Sequence, residues 1–240
     1  MKIRLTTRPV VLFGGLAVLA LLVFLPMRLV LGLVGLGNYG LSARMVSGPV
    51  WYGTLIEARI GDLPLGDIRA GLSPFQLLLG RVRLGVSGAP QGDRPGLTGA
   101  ISTSRYSQGL DDMTGSIPTG AVFGPLPINR IDLEGVTLRF DSGACAVAQG
   151  RVKAQLSGSI AAIALPQAMS GTVRCEGGAL IVPLLSQAGT EGVTLNIRGN
   201  GRYRATLDIE TSDPAVAQKL GLVGFQPNGA GYRLSTEGQF

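Results

Sequence analysis

The feature that most restricts this chain is a run without charge between Arg8 and Arg28, Pro9 to Met27, which reads PVVLFGGLAVLALLVFLPM. As a helix these residues would extend about 28 Å at about 1.5 Å per residue, enough to cross a bilayer core. Apolar character continues past Arg28 through LVLGLVGLG. Because an arginine can snorkel to headgroups, the end of the span is expected between Pro26 and about Leu36. The first 40 residues contain no Asp or Glu, and Lys2, Arg4, Arg8 and the amino terminus all precede the run. The positive-inside rule then keeps a short tail, residues 1–9, in the cytoplasm. Residues 10–36 are read as anchor and exit linker, and residues 37–240 as an exported domain. A cleaved secretory leader is the competing reading. Its apolar region would be long for a leader, and no small-x-small cleavage site follows it directly. Both readings export the remainder of the chain.

Charge and composition narrow the chemistry. Setting aside Lys2, Arg4, Arg8 and Arg28 leaves 17 basic against 15 acidic residues, so the excess charge lies beside the apolar run rather than on a nucleic-acid surface. There is no histidine, which removes Ser-His-Asp and Cys-His nucleophiles and the usual neutral-pH base. Two cysteines are too few for a Cys-only zinc site or an iron–sulfur cluster. The sequence Gly35–Gly40, GLGNYG, matches a dinucleotide fingerprint in form, with Glu57 about twenty residues on. It follows a membrane-length helix instead of a strand, so the glycines read as a helix end and linker. Asp111-Asp112 and Asp132/Glu134 stand on turn- and strand-like segments and read as solvated surface. No catalytic residue, cofactor, metal, nucleic-acid partner or small-molecule substrate is expected.

The exported part reads as mainly β. Gly and Pro together exceed a fifth of the chain, which suits turns and short strands. LIEARIG (55–61) alternates Ile56, Ala58 and Ile60 against Glu57 and Arg59, and GDIRAGL (66–72) alternates Ile68, Ala70 and Leu72 against Asp67 and Arg69. Ser73-Pro74 before FQLLL, with Gly80 after it, predicts a short helix, and RVRLGV (81–86) returns to strand. Residues 88–127, dominated by Gly, Pro, Ser and Thr, are expected to form a long loop or irregular edge strands. Strand patterns resume in NRIDLEGVTLRFD, GRVKAQLSGSI and SGTVRCEGGALIVPL. Val193–Glu210 reads as a hairpin turning at Asn200-Gly201. Ser212-Asp213-Pro214 opens a second short helix closed by Gly221, and GYRLSTEGQF is a last strand. The expected domain is thus one elongated antiparallel sheet with two short helices behind a single membrane helix.

Cys145 and Cys175 lie within these strand patterns. In an oxidising compartment two such thiols form a structural disulfide, which in the chain-entropy model contributes about 3–4 kcal/mol. Trp51, the only tryptophan, and Tyr52 follow the membrane exit. They read as a first-strand core anchor, an interfacial aromatic pair, or a partner contact.

The run VSGPVWYGTLIEARIGDLPLGDIRAGLSPFQLLLGRVRL (46–84) resembles the bacterial type II secretion system protein N family. The resemblance rests on a V-x-G-x-V-W-x-G segment, a G-x-L-P-L-G-D turn and an L-S-P helix start. The C-terminal half is similar too, with Cys145 before Gly150-Arg151-Val152, Cys175 before Gly-Gly, an L-x-S-Q-x-G stretch, the Gly201–Tyr203 hairpin and a closing G-Y-R-L-S-x-E-G strand. It implies a non-enzymatic, single-pass inner-membrane accessory of the apparatus that exports folded proteins from the periplasm across the outer membrane. Its partners would be other components of that apparatus and the inner-membrane bilayer. The W-x-G-T-L entry is also similar to the first repeats of AsmA-like proteins, which implies the alternative of a β groove that binds or moves lipid in the periplasm.

Overall fold

The computed structural model describes residues 9–29, 41–60, 63–90, 96–119, 128–156, 159–160, 163–229 and 231–239. Lys2, Arg4, Arg8 and the GLGNYG segment lie outside them. Helix α1 is Pro9–Val23, helix α2 Pro74–Leu78 and helix α3 Pro214–Leu222. The first strands are β1 (Leu41–Ser42), β2 (Met45–Ser47), β3 (Gly53–Ile60), β4 (Leu63–Leu72) and β5 (Val82–Gly88). The middle ones are β6 (Thr98–Thr103), β7 (Ser107–Pro118), β8 (Ile128–Asp141), β9 (Ala144–Leu156), β10 (Ser159–Ile160), β11 (Ile163–Ala164) and β12 (Ala168–Thr172). The last are β13 (Arg174–Glu176), β14 (Ala179–Ser186), β15 (Glu191–Ile197), β16 (Arg202–Glu210), β17 (Gln226–Asn228) and β18 (Gly231–Gln239).

Among the described residues sixteen strands form one antiparallel sheet in the order β1-β3-β4-β5-β6-β7-β8-β9-β12-β14-β15-β16-β18-β17, with β2 added beside β3 and β13 beside β14. The short pair β10-β11 stands apart. Nearly every strand therefore pairs with its neighbour in sequence. Short connections make that meander accessible to chain segments that are individually weak strand formers.

Alternation places the apolar residues on one face. Leu55 pairs with Ile68, Ala70 with Val86 and Leu133 with Val152; further along, Val182 pairs with Leu195 and Leu195 with Ala205. These residues belong to one continuous core that runs the width of the sheet, with Leu184, Ala205 and Leu207 wholly buried. Val216 and Leu220 of α3 and the following Phe225 pack onto it. The sheet folds back on itself enough for the Gln108 amide on β7 to donate to the Gly199 carbonyl in the β15–β16 turn, at 3.2 Å. Glycine permits one especially close approach: a Cβ on Gly171 of β12 would lie 1.6 Å from the Pro183 carbonyl oxygen of β14.

The structure corrects several expectations. Residues 88–127 are not a loop over their described length, because β6 and β7 lie in the middle of the sheet, paired on both sides. In β3 the buried residues are Leu55 and Ala58, whereas Ile56 of the expected Ile56-Ala58-Ile60 set is only half-buried. A bulge at Glu57, with φ of 51°, shifts the alternation, and its N–H is satisfied by Asp67 Oδ1 at 2.9 Å. The β15–β16 hairpin turns over three residues, Gly199 to Gly201: the Arg198 N–H donates to the Arg202 carbonyl and Gly201 takes φ of 80°. Helix α3 runs on to Leu222, past Gly221.

The apolar run is also shorter as a helix than its sequence suggested. Helix α1 has 15 residues and stops at Val23. At about 1.5 Å per residue it measures about 22 Å, against about 30 Å for a bilayer core. No helix among the described residues is long and apolar enough to cross a membrane. Pro26 supplies the physical reason: it lacks an N–H for the helical ladder and disfavours helical backbone at Leu25.

Candidate functional site

The residues after α1 turn into the β domain. The Val50 N–H donates to the Leu25 carbonyl at 2.8 Å and the Met27 N–H to the Gly48 carbonyl at 3.1 Å, while Pro26 bridges Pro49. Met27 is buried in the sheet's core, only 2% exposed, whereas Arg28 directly after it is exposed. The segment Gly48–Tyr52 is thereby clamped between the end of α1 and the end of β4, since the Leu72 N–H donates to the Val50 carbonyl at 3.0 Å. Val50 points inward and is buried.

Trp51 and Tyr52 part company at this turn. Trp51 is half-buried and lines a cleft of about 440 Å³ with Arg69, Gly71, Gly85 and Ser87. A Cβ on Gly71 would lie 2.2 Å from the Trp51 carbonyl oxygen, so the absence of a side chain there lets the turn lie against β4. Tyr52 is 76% exposed.

The same end of the sheet carries α2. Its first turn follows from Ser73 in extended conformation and Pro74 at the first helical position, and Gly80 leaves the helix with φ of 70°. Phe75 and Leu79 project outward, 78% and 74% exposed. Beside them a cleft of about 250 Å³ is lined by Gln76, Arg81, Arg83, Asp111, Arg139 and Asp141. Arg83 Nε donates to Asp111 Oδ2 at 3.1 Å, and Asp132 lies beside Arg130, so two members of the carboxylate pairs are held in ion pairs.

Three turns complete this end. Arg105 lies over the Tyr106 ring, 5.4 Å from its centroid, in the β6–β7 turn. The Ser142 N–H of the β8–β9 turn donates to the Tyr106 carbonyl at 2.7 Å. The β15–β16 turn meets β7 through Gln108. Cys145 and Cys175 are joined as a disulfide with Cα atoms 5.5 Å apart, tying the start of β9 to β13 near this end. Sequence reasoning singled out the exit turn and the cysteines but missed the outward face of α2 and the arginines around it. The signal was present in PFQLLL, where four of six residues are large and apolar in a helix too short to bury them.

Elsewhere the electrostatics are ordinary. Arg233 donates to Asp208 at 2.6 Å, and that hydrogen bond and charge hold its guanidinium above its usual pKa. Among the described residues no three His, Cys, Asp or Glu side chains are grouped to hold a metal.

Comparison with known proteins gives one result of scope. The model of a family described as "Type II secretion system (T2SS), protein N" matches residues 39–235. No curated protein and no solved structure matches the chain.

Proposed function

The chain belongs to the type II secretion system protein N family, and on that premise we propose that it is a non-enzymatic accessory of the apparatus, held at the inner membrane, whose β domain works in the periplasm by contact with other components. The match over residues 39–235 carries this reading, because it covers nearly the whole sheet rather than one motif. The Cys145–Cys175 bond agrees with an oxidising compartment. In this reading α1 and its flanks anchor the chain once, Lys2, Arg4 and Arg8 stay on the cytoplasmic side, and Arg28 faces the periplasmic headgroups. Residues 1–9 form the tail, 10–36 the anchor and linker, and 37–240 the periplasmic part. Confinement to the membrane raises the effective concentration of membrane-bound partners.

The alternative, an AsmA-like groove for lipid, finds less support. Its apolar lining would be the inward face of the sheet, and there Leu184, Ala205 and Leu207 are already wholly buried in the core. Deleting the gene separates the two readings. Folded exoproteins should accumulate in the periplasm and return to the medium when the intact chain is restored. Unchanged secretion together with altered outer-membrane permeability would sink the secretion role and favour lipid.

A further inference from the structure

We infer that the end of the sheet bearing α2 is a second membrane contact, an interfacial docking face that lies on the anionic surface of the bilayer holding α1. The inference rests on the reading of α1 as the anchor. It is independent of which secretion component the protein contacts.

The pairing register shows which features share this end. Leu72 pairs with Leu84, Leu84 with Ile101, Ile101 with Leu110, and Leu110 with Leu138, and beyond that row lie the exit turn, α2 and the β6–β7, β8–β9 and β15–β16 turns. The exit of α1 is fixed to this end through Leu25 and Val50. Leu72 bonds to Val50, and Phe75 follows three residues later, a reach of at most about 10 Å. A bilayer entered by α1 therefore meets α2 and Tyr52 first.

Their chemistry fits that position. Phe75, Leu79, Tyr52 and Tyr106 are 78%, 74%, 76% and 67% exposed, and Leu77 joins them at 37%. A five-residue helix that, with its C-cap Leu79, turns three large apolar side chains to solvent gains nothing in water, whereas burial in the headgroup boundary stabilises it. Tyrosine rings suit the same depth. The charge is biased: Arg28, Arg81, Arg105, Arg139, Arg198 and Arg202 are exposed and make no ion pair among the described residues, against one such carboxylate at this end, Asp141. Glu176 and Glu237 at this end are already paired with Arg174 and Arg204. Exposed apolar side chains sharing one end of the sheet with an excess of unpaired cations match a leaflet of anionic phospholipid, to which each arginine near the surface adds attraction. Among the described residues the far end mixes both signs, with Glu210, Asp213 and Lys219 around α3 and Arg59 on β3.

The test uses the full chain in vesicles of phosphatidylethanolamine and phosphatidylglycerol. Both native cysteines are bonded, so single cysteines can be labelled with an environment-sensitive fluorophore at Leu16→Cys on α1, Leu79→Cys on α2 and Leu222→Cys on α3. Phe75→Cys provides a second α2 label. Brominated acyl chains should quench the labels at 16, 79 and 75, and leave 222 unquenched. Replacing phosphatidylglycerol by phosphatidylcholine, or reversing Arg81 and Arg105 to Glu, should bring the α2 signal down to the level at 222 while that at 16 stays. Labels at 79 and 75 that remain open to aqueous iodide like 222 would overturn the docking face and leave the anchor standing. Labels there shielded from iodide yet unquenched by brominated lipid would overturn it in favour of protein covering α2. Quenching at 79 without quenching at 16 would uphold the surface contact and overturn the anchor.

Discussion

Gly71 is the residue on which the exit turn depends most directly. Its Cβ would meet the Trp51 carbonyl oxygen at 2.2 Å, so Gly71→Ala must push the Gly48–Tyr52 segment away from β4 or bend the strand. Strain of this kind costs about 1–3 kcal/mol. Chemical denaturation should show that loss, and emission from Trp51, the only tryptophan, should shift to longer wavelength in the native state. Gly221 on α3 is the control: nothing lies within 4 Å of an added Cβ. There Ala should be neutral or should stabilise by up to about 1 kcal/mol through helix propensity. Single residues also mark where sequence reading stops. Alternation located Ile68 and Ala70 in the core, but Glu57 and Asp112 adopt φ of 51° and 49° and shift the alternation at two bulges. Each bulge N–H is satisfied by a side chain from the neighbouring strand, Asp67 and Thr137, partners that local sequence does not announce.

At the scale of elements, the two short helices α2 and α3 were the most legible because each has a chemical start. Asp213 Oδ1 accepts from the Ala215 N–H at 2.8 Å ahead of Pro214. Asp213→Ala should cost about 1 kcal/mol, read as a lower denaturation midpoint. Strands β6 and β7 were the least legible. TGAIST and SQGLDDMTGSIP offer few large apolar residues, and their stability comes from neighbours on both sides rather than from intrinsic preference. The disulfide closes a loop with a sequence separation of 30 and binds β9 to β13. The double variant Cys145→Ser/Cys175→Ser should lose about 3–4 kcal/mol in the chain-entropy model. Its denaturation curve should coincide with that of the native chain under reducing conditions. The exposure of α2 was hidden for a different reason. An apolar helix is assigned to a core by default, and only the paired arrangement of β4 and β5 reveals that none covers Phe75 and Leu79.

For the molecule as a whole, the boundary between anchor and sheet falls inside the apolar run rather than after it. Hydropathy cannot distinguish a residue bound for lipid from one bound for a protein core, so Met27 and Val23 look alike in sequence. Met27 is 2% exposed within the sheet's core, whereas Val23 is 49% exposed on α1. Two shortened exported chains separate these fates. One beginning at Phe24 keeps the Leu25–Val50 bond and the Met27 side chain, and should retain the stability of the full β domain. One beginning at Leu29 loses both, and by comparison with buried methionine truncations should be less stable by about 2–5 kcal/mol. Equal midpoints for the two would mean that the sheet closes without the end of the run. The Phe24 chain then tests anchoring itself. Supplied to cells lacking the full protein, it is a folded domain free of α1. If holding the sheet at the membrane is what makes it useful, secretion of folded proteins should stay low with this chain and recover when any unrelated single-span helix is fused ahead of Phe24. Recovery without such a helix would mean that contacts of the sheet alone suffice.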